Sequence, residues 1–413
     1  MVSYSSLPSP AISSLISYLL SLISILLNTI LYLQPQVVFA ARQRAAGLVR
    51  FAHARGDWSV QIYEGFFNDA KLAELMEFWN PAGVVVGSRG GGLDYDVSSF
   101  DPMKTVLLEC FPDAGGERFA SVVCDRAFTP AIALKELIMS ECAALAVVPW
   151  SMRREWSELR RAEFLRIARD LGRPVFEHSA IHEPIEIQDI QRDLAEWLVT
   201  LPKPCGVFAV NDVMAMHVAA AAKLAGIEVP FDIRIVGVDD DTYACEAASP
   251  ALSSIGLDFE GAGHLAGETL AKLLAGEIRP EETHLALKPT GLVRRDSTRL
   301  FKRTDRQVLA AIELIRAEAC SGLTAKEALA TFNCSRRLAE MRFREATGKS
   351  VLEEIRDVRI EKAKRLLRDP LRELSVIAGM CGYESDTSFR RIFREATGVT
   401  MSEWRKSCRT CGR

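Results

Sequence analysis

The hexapeptide FREATG occurs at Phe343 to Gly348 and again, fifty positions later, at Phe393 to Gly398. A repeat at that distance is a duplicated structural unit, and nothing else in the chain limits its fold as tightly. The same offset pairs Ala328 with Ala378 and Ser335 with Ser385, so each copy extends upstream of the hexapeptide. Both copies read as two short helices around a polar break: Thr324 to Phe332 then Ser335 to Glu345, and Leu374 to Met380 then Ser385 to Glu395. Serine is the N-cap of each second helix, and Gly348 or Gly398 stops it. Two such units in tandem predict a pair of helix-turn-helix motifs.

The 3.6-residue period shows what each second helix presents. In the later copy Phe389, Ile392 and Phe393 form an apolar stripe, while Thr387, Arg391 and Arg394 face away from it with Arg390 on the flank. In the earlier copy Ala339, Phe343 and Ala346 point inward, and Arg337, Met341 and Arg344 point outward beside Glu340. A guanidinium fork can read a guanine edge or clamp a phosphate, which is what a recognition helix needs in a major groove. A solvated charged face is the plainer reading of one such helix, but two copies at a fixed offset argue against it. Charge is segregated to match. Residues 301–413 hold 24 Lys and Arg against 16 Asp and Glu, a net of +8, which leaves −11 for the first 300 residues of a chain whose total is −3. Affinity for nucleic acid comes largely from local phosphate neutralisation, so the basic tail outweighs the acidic total.

The run VIAGMCGYESDTSFRRIFREATGVTMSEWR, Val376 to Arg405, resembles the signature of AraC/XylS-type transcription regulators, with one departure: Met401 stands where that family usually has Pro. The segment RIEKAKRLL, Arg359 to Leu367, resembles the family's connecting helix. The resemblance implies that two recognition helices enter successive major grooves of double-stranded operator DNA, about 34 Å apart. It places base-reading residues at Arg337, Glu340 and Met341 in the first unit and at Asp386, Thr387 and Arg391 in the second. Arg344, Arg390 and Arg394 complete the expected DNA-binding set. Met341 sits where arginine is common; it can touch a thymine methyl but cannot read guanine.

Upstream the rhythm changes. From about Val37 to Ser297, short β-branched runs (VVFAA, SVQIYEG, GVVVG, TVLLEC, SVVC, ALAVVPW, PVFEH, GVFAVND, IRIVGVDD, LSSIGLD) alternate with amphipathic helices such as Thr129 to Cys142, Glu158 to Leu171, Ile187 to Leu201 and Asp212 to Ala225. This alternation predicts an α/β fold of doubly wound parallel sheets, and about 260 residues suffices for two lobes. Ligands of such sheets sit beyond the strand C-termini. GVFAVND ends in Asn211 and Asp212, and IVGVDDD in Asp239, Asp240 and Asp241; an amide and carboxylates there suit sugar hydroxyls, with helix N-capping as the plain alternative for each.

These segments, with ALSSIGLDFEGAGHLAGETLAKLL, resemble the effector domain of LacI/GalR-type repressors, which is similar to type I periplasmic sugar-binding proteins. The resemblance implies effector-binding roles for Asn211 and Asp239, for Arg160 in RRAEF (where Glu163 replaces the family's Gly), and for Asp125 after SVVC. A LacI-like sensor followed by an AraC-like reader is the domain order of the xylose-operon regulators. That order implies a ligand-controlled transcription factor without a cofactor, acting as a homodimer in the cytoplasm by closure of its two lobes on a sugar, with RNA polymerase open as a further partner. The expected domains are 1–35, an apolar extension; 36–300, the sensor; and 301–413, the reader.

The extension fits this picture poorly. Ala11 to Leu33 carries no charge over 23 residues, which is long enough to span a bilayer. Three accounts compete: a start codon placed too far upstream, which we prefer because the first strand is expected at Val37; a membrane anchor with Arg42, Arg44 and Arg50 on its cytoplasmic side; or a buried or peripheral helix. Other chemistry is weak. Gly348, Lys349 and Ser350 end like a P-loop but lack its earlier glycine, SRGGG at Ser88 to Gly92 reads as a loop, and the ten cysteines are scattered apart from Cys408 and Cys411. His178 and His182 beside Glu183 lie on a strand and a loop, so no metal site is expected. Two rival classes remain: a membrane-tethered sugar-binding module with no DNA affinity, and a sugar-active enzyme on the same scaffold.

Overall fold

The computed structural model describes residues 27–34, 39–65, 68–87, 96–109, 116–124, 128–150, 155–179, 186–300, 305–369 and 372–410. The chain divides into two compact units. The first takes in residues 1–130, 152–160 and 255–291; the second takes in 131–151, 161–254 and 292–413.

The first unit is built on a six-stranded sheet. Its strands are β1 (Asn28–Gln34), β2 (Trp58–Glu64), β3 (Gly83–Gly87), β4 (Thr105–Leu108), β5 (Ala120–Cys124) and β11 (His284–Leu287), in the order β11-β5-β4-β3-β1-β2. β1 pairs in parallel with β2 from Asn28↔Trp58 to Gln34↔Glu64 and with β3 from Ile30↔Gly83 to Leu33↔Val86. This corrects the expectation for residues 1–35 and for VVFAA. The first strand does not begin at Val37; it lies inside the uncharged segment, and helix α1 (Phe39–Arg55) begins two residues after Val37. Ile30, Leu31, Tyr32 and Leu33 are fully buried. A strand covered on both faces reads as an unbroken apolar run, which sequence pattern cannot tell from part of a membrane span. Among the described residues no helix is long and apolar enough to cross a membrane; residues 1–26 lie outside them. α1 crosses α8 (Phe259–Leu274) so closely that a Cβ on Gly47 would sit 1.9 Å from the Glu260 carbonyl, and one on Gly263 1.9 Å from the Arg44 carbonyl. α2 (Asp69–Trp79) contributes Leu72 and Leu75 to the core beside Leu31, Leu33, Val84 and Val86.

The second six-stranded sheet has the order β12-β10-β9-β8-β6-β7, from β6 (Ala144–Val148), β7 (Val175–Glu177), β8 (Cys205–Ala209), β9 (Ile233–Asp239), β10 (Ser253–Gly256) and β12 (Gly291–Val293). β6 pairs in parallel with β7 and β8, and β8 with β9. Its helices are α3 (Phe128–Met139), α4 (Glu155–Asp170), α5 (Ile187–Thr200), α6 (Asp212–Leu224) and α7 (Thr242–Ala247). α5 and α6 cover one face through Ile190, Leu194, Leu198, Met214 and Val218. His178 follows β7, reaches Asp193 through Nε2 at 2.8 Å and packs edge-on against Trp197. Burial lowers its pKa, so it is held neutral as a core histidine. His182, Glu183, Ser88 to Gly92 and Cys411 lie outside the described residues.

The all-helical remainder of the second unit comprises α9 (Arg306–Glu318), α10 (Ala325–Leu329), α11 (Arg336–Thr347), α12 (Val351–Leu366), α13 (Leu374–Met380), α14 (Asp386–Thr397) and α15 (Met401–Thr410). α10–α11 and α13–α14 are the two helix-turn-helix units. The Ser335 hydroxyl accepts from Leu338 N–H and that of Ser385 from Ser388 N–H; Gly348 and Gly398 close their helices at φ 76° and 77°, a region costly for any side chain. Lys349 and Ser350 then lead into α12, with Ser350 in a capping box with Glu353. Met401 starts α15 without a proline because Thr400 and Glu403 cap each other. α12 ties the two units together. Its first half places Val351 and Ile355 in one core with Phe343, and its second half places Ile360 and Ala363 in the other with Phe389 and Phe393. Phe231 of the sensor portion is part of the first of these cores.

Candidate effector site and nucleic-acid interface

Two strand ends of the second unit meet where a ligand of such a sheet is expected. β8 and β9 are aligned at Phe208↔Val236, and three residues further along each strand stand Asn211 and Asp239. Asn211 is 7% exposed and caps α6, its Oδ1 accepting from Met214 N–H at 3.0 Å. Its Nδ2 end is outside the cap and can donate to a ligand. Asp239 and Asp240 both have positive φ, 113° and 52°, a conformation that side chains avoid unless their surroundings impose it. Arg295 holds Asp240 Oδ1 at 2.7 Å, Asp240 N–H donates to Ser254 Oγ at 3.0 Å, and Asp241 N–H donates to Asp212 Oδ2 at 2.8 Å. The turn that follows Asp239 is thus fixed from three sides.

Asp212, named in the sequence only as a strand-end carboxylate, is a buried partner of the turn rather than a ligand contact. It is 1% exposed, and burial, reinforced by the nearby charge of Asp239, pushes its pKa well above the usual carboxylate range. Gly237 is required beside it, because a Cβ there would fall 2.1 Å from Asp212 Oδ1. The sequence offered Asp239, Asp240 and Asp241 together at the end of IVGVDDD, but not their link to Asp212 on the next strand end.

Arg160 lies on α4, 5% exposed, its guanidinium 5.3 Å from the Trp156 ring centroid. It belongs to the first unit, so it is not grouped with Asn211 and Asp239, and Asp125 is outside the described residues. The first unit has its own polar cluster at the C-terminal strand ends. Tyr32 donates to Gln34 at 2.7 Å, Glu109 (φ 59°) accepts from Cys124 N–H, and the buried Arg44 has an Nε without a partner among the described residues. Burial and the charge of Glu109 raise the Cys124 thiol out of the range where it ionises. None of these residues was given a binding role from the sequence; Tyr32 and Gln34 were missed because β1 was hidden in an apolar run.

In the helical domain seven of the nine expected DNA-binding residues are exposed: Arg337, Met341, Arg344, Thr387, Arg390, Arg391 and Arg394. The other two are half-buried and already engaged. Glu340 accepts from Val351 N–H at 3.3 Å, at the start of α12, and Asp386 is gripped by Arg390 through Nε and Nη2, both at 2.8 Å. Arg391 pairs along its helix with Glu395 at 2.7 Å. Both partners are exposed, so the pair is weak and easily exchanged for a phosphate or base.

Residues 135–298 match a model of a periplasmic binding protein-like domain, and residues 328–407 match a helix-turn-helix domain. The xylose operon regulatory protein of Escherichia coli K12 is 28% identical over 375 residues, 88% of this chain and 93% of that protein. Its counterpart in Haemophilus influenzae is 29% identical over 257 residues, 62% of this chain and 66% of that protein. Among solved structures, a xylose-binding transcription activator, XylR, superposes with a TM-score of 0.58 at 24% identity, covering 92% of this chain and 98% of its own; the likeness is one of fold.

Proposed function

We propose a mechanism for this chain from the premise that it is a xylose-operon-regulator-like transcription factor: a LacI/GalR-type sensor fused to an AraC/XylS-type reader, binding operator DNA through two helix-turn-helix units under the control of a small-molecule effector. In our reading the effector is a sugar, and D-xylose is the first to test because both relatives are named for a xylose operon. The observation that carries this is the level placement of Asn211 and Asp239 at adjacent strand ends. An amide donor and a carboxylate acceptor side by side complement two neighbouring hydroxyls, while Asp212 and Arg295 hold the acceptor's turn in place. Arg160 and Asp125 are the further contacts we assign to the sugar.

The reader is to act as a homodimer on double-stranded DNA in the cytoplasm, with RNA polymerase as a further contact. Arg391 and Thr387 are to read bases in the second unit and Met341 in the first; Arg337, expected as a base reader, is assigned instead to phosphate with Arg344, Arg390 and Arg394. We read the chain as a sensor that releases its ligand unchanged, not as an enzyme. Calorimetry with a panel of pentoses and hexoses, followed by operator titrations at several salt concentrations with and without the sugar that binds, tests the whole reading. The expected result is a pentose that binds, is recovered intact and shifts a steeply salt-dependent operator affinity. Absence of sugar binding, or conversion of the sugar, would overturn it.

A further inference from the structure

The two recognition helices are aligned by the fifty-residue repeat, but they do not carry the same chemistry. At the centre of the outward face, Met341 in α11 corresponds to Arg391 in α14, and on its flank Leu338 corresponds to Ser388. The structure makes the difference sharper. Met341 is 58% and Leu338 41% exposed, and Leu352, at the start of α12 beside Met341, is 66% exposed. Met341 and Leu338 on α11, with Leu352 on α12, are exposed apolar side chains that an apolar group on a partner can cover. Arg336, Arg337 and Arg344 surround Met341 in the same concavity, so that partner must sit inside a polyanion. Of the two other readers expected on this helix, Glu340 has an oxygen committed to Val351 N–H, and Arg337 is assigned to phosphate. Met341 therefore holds the reading position of the first unit.

A major groove offers one apolar group on its base edges, the C5-methyl of thymine. We propose that the first helix-turn-helix unit reads thymine through Met341, with Leu338 and Leu352 closing the apolar surface around the methyl. Arg337 and Arg344 hold the flanking phosphates, while the second unit reads guanine through Arg391. Methionine suits the task because its unbranched, polarisable thioether can follow the methyl without a fixed geometry. This rests on the operator-binding reading above and adds which base each unit selects.

The test uses the full chain. Duplexes bound by the protein are enriched from a random library, and each thymine of the best binder is then replaced singly by deoxyuridine, which lacks only the methyl. At one or more positions deoxyuridine should weaken wild-type binding about fivefold, the effect of one buried methyl. The same replacement should cost as much in Arg391→Ala but nothing further in Met341→Ala. If every deoxyuridine duplex binds as its parent does, or if the loss persists in Met341→Ala, the thymine assignment is wrong while operator binding stands. If no duplex is enriched, operator binding itself is wrong and this inference falls with it.

Discussion

Arg365, on the helix that joins the two reader units, donates to both carboxylate oxygens of Glu246, at 2.9 and 2.8 Å. Glu246 lies on α7, which begins directly after the Asp239–Asp241 turn, so one short helix connects the proposed sugar contact to the reader's central strut. Both side chains are about half exposed, at 46% and 49%. A pair of that kind contributes at most about 1 kcal/mol to stability, which leaves transmission as the role that fits its position. Arg365→Ala should keep its melting temperature, its sugar affinity and its sugar-free operator affinity, yet lose most of the sugar-induced change in operator binding. Fluorescence titrations with and without sugar measure this directly. A full sugar response in the variant would remove α7 from the path.

Arg391→Ala should cost about 1 to 3 kcal/mol at one operator base pair and relax the preference there, leaving sugar binding intact. Binding to duplexes varied at single positions is the measurement. Equal loss on every duplex would mean that Arg391 touches phosphate only. Because the Arg391–Glu395 pair is exposed at both ends, Glu395→Ala should leave operator affinity unchanged or slightly raised.

Asp239→Ala should abolish the sugar response without unfolding the sensor. The φ of 113° at this position is imposed by the turn; alanine is somewhat more strained there than aspartate, so the melt is the control, and it offers a hydroxyl no partner. Calorimetry separates the two effects: binding should vanish while the cooperative melt is kept. A variant that binds sugar as the wild type does would dismiss Asp239 as a contact.

The helical domain was legible in outline because its signals are local. Ser335, Ser385, Gly348 and Gly398 cap helices whose ends depend on neighbouring residues alone, and the fifty-residue repeat checks each against the other. The strand ends were legible only in part. Asn211 and Asp239 follow from strand pattern, but the burial of Asp212 and its link to Asp241 depend on Gly237 from the neighbouring strand, which no local pattern encodes. β1 was lost for the opposite reason: its composition was plain and its partners were not.

Asp212 also makes stability depend on pH. Its folded pKa is raised above the ordinary 3.8, chiefly by burial and then by Asp239, so the folded state binds more protons than the unfolded state above that pH. Stability from this group is complete below about 3.8 and is lost as pH rises through the folded value. Cys245 and Arg295 interact with the same carboxylate; Cys245, pushed up by burial beyond the range where it ionises, stays a thiol throughout. Asp212→Asn should therefore flatten the pH dependence of urea unfolding above pH 4. An unchanged slope would place the ionisation elsewhere.

The N-terminal boundary of the sensor is set by β1. A chain starting at Gln36 keeps every segment first read from the sequence as a strand or helix, yet it lacks β1. That removes the strand between β2 and β3, exposes two ladders of backbone groups and deletes four fully buried side chains. Side chains of that size contribute about 1.5 to 3 kcal/mol each on burial, so their loss alone is comparable with the net stability of an ordinary domain. Starting at Leu27 keeps the strand. The shorter chain should aggregate or melt without cooperativity, whereas the chain from Leu27 should bind both sugar and operator. Comparing the two by calorimetry and sedimentation decides it: a well-folded, sugar-binding chain from Gln36 would mean that β1 is not part of the working sensor.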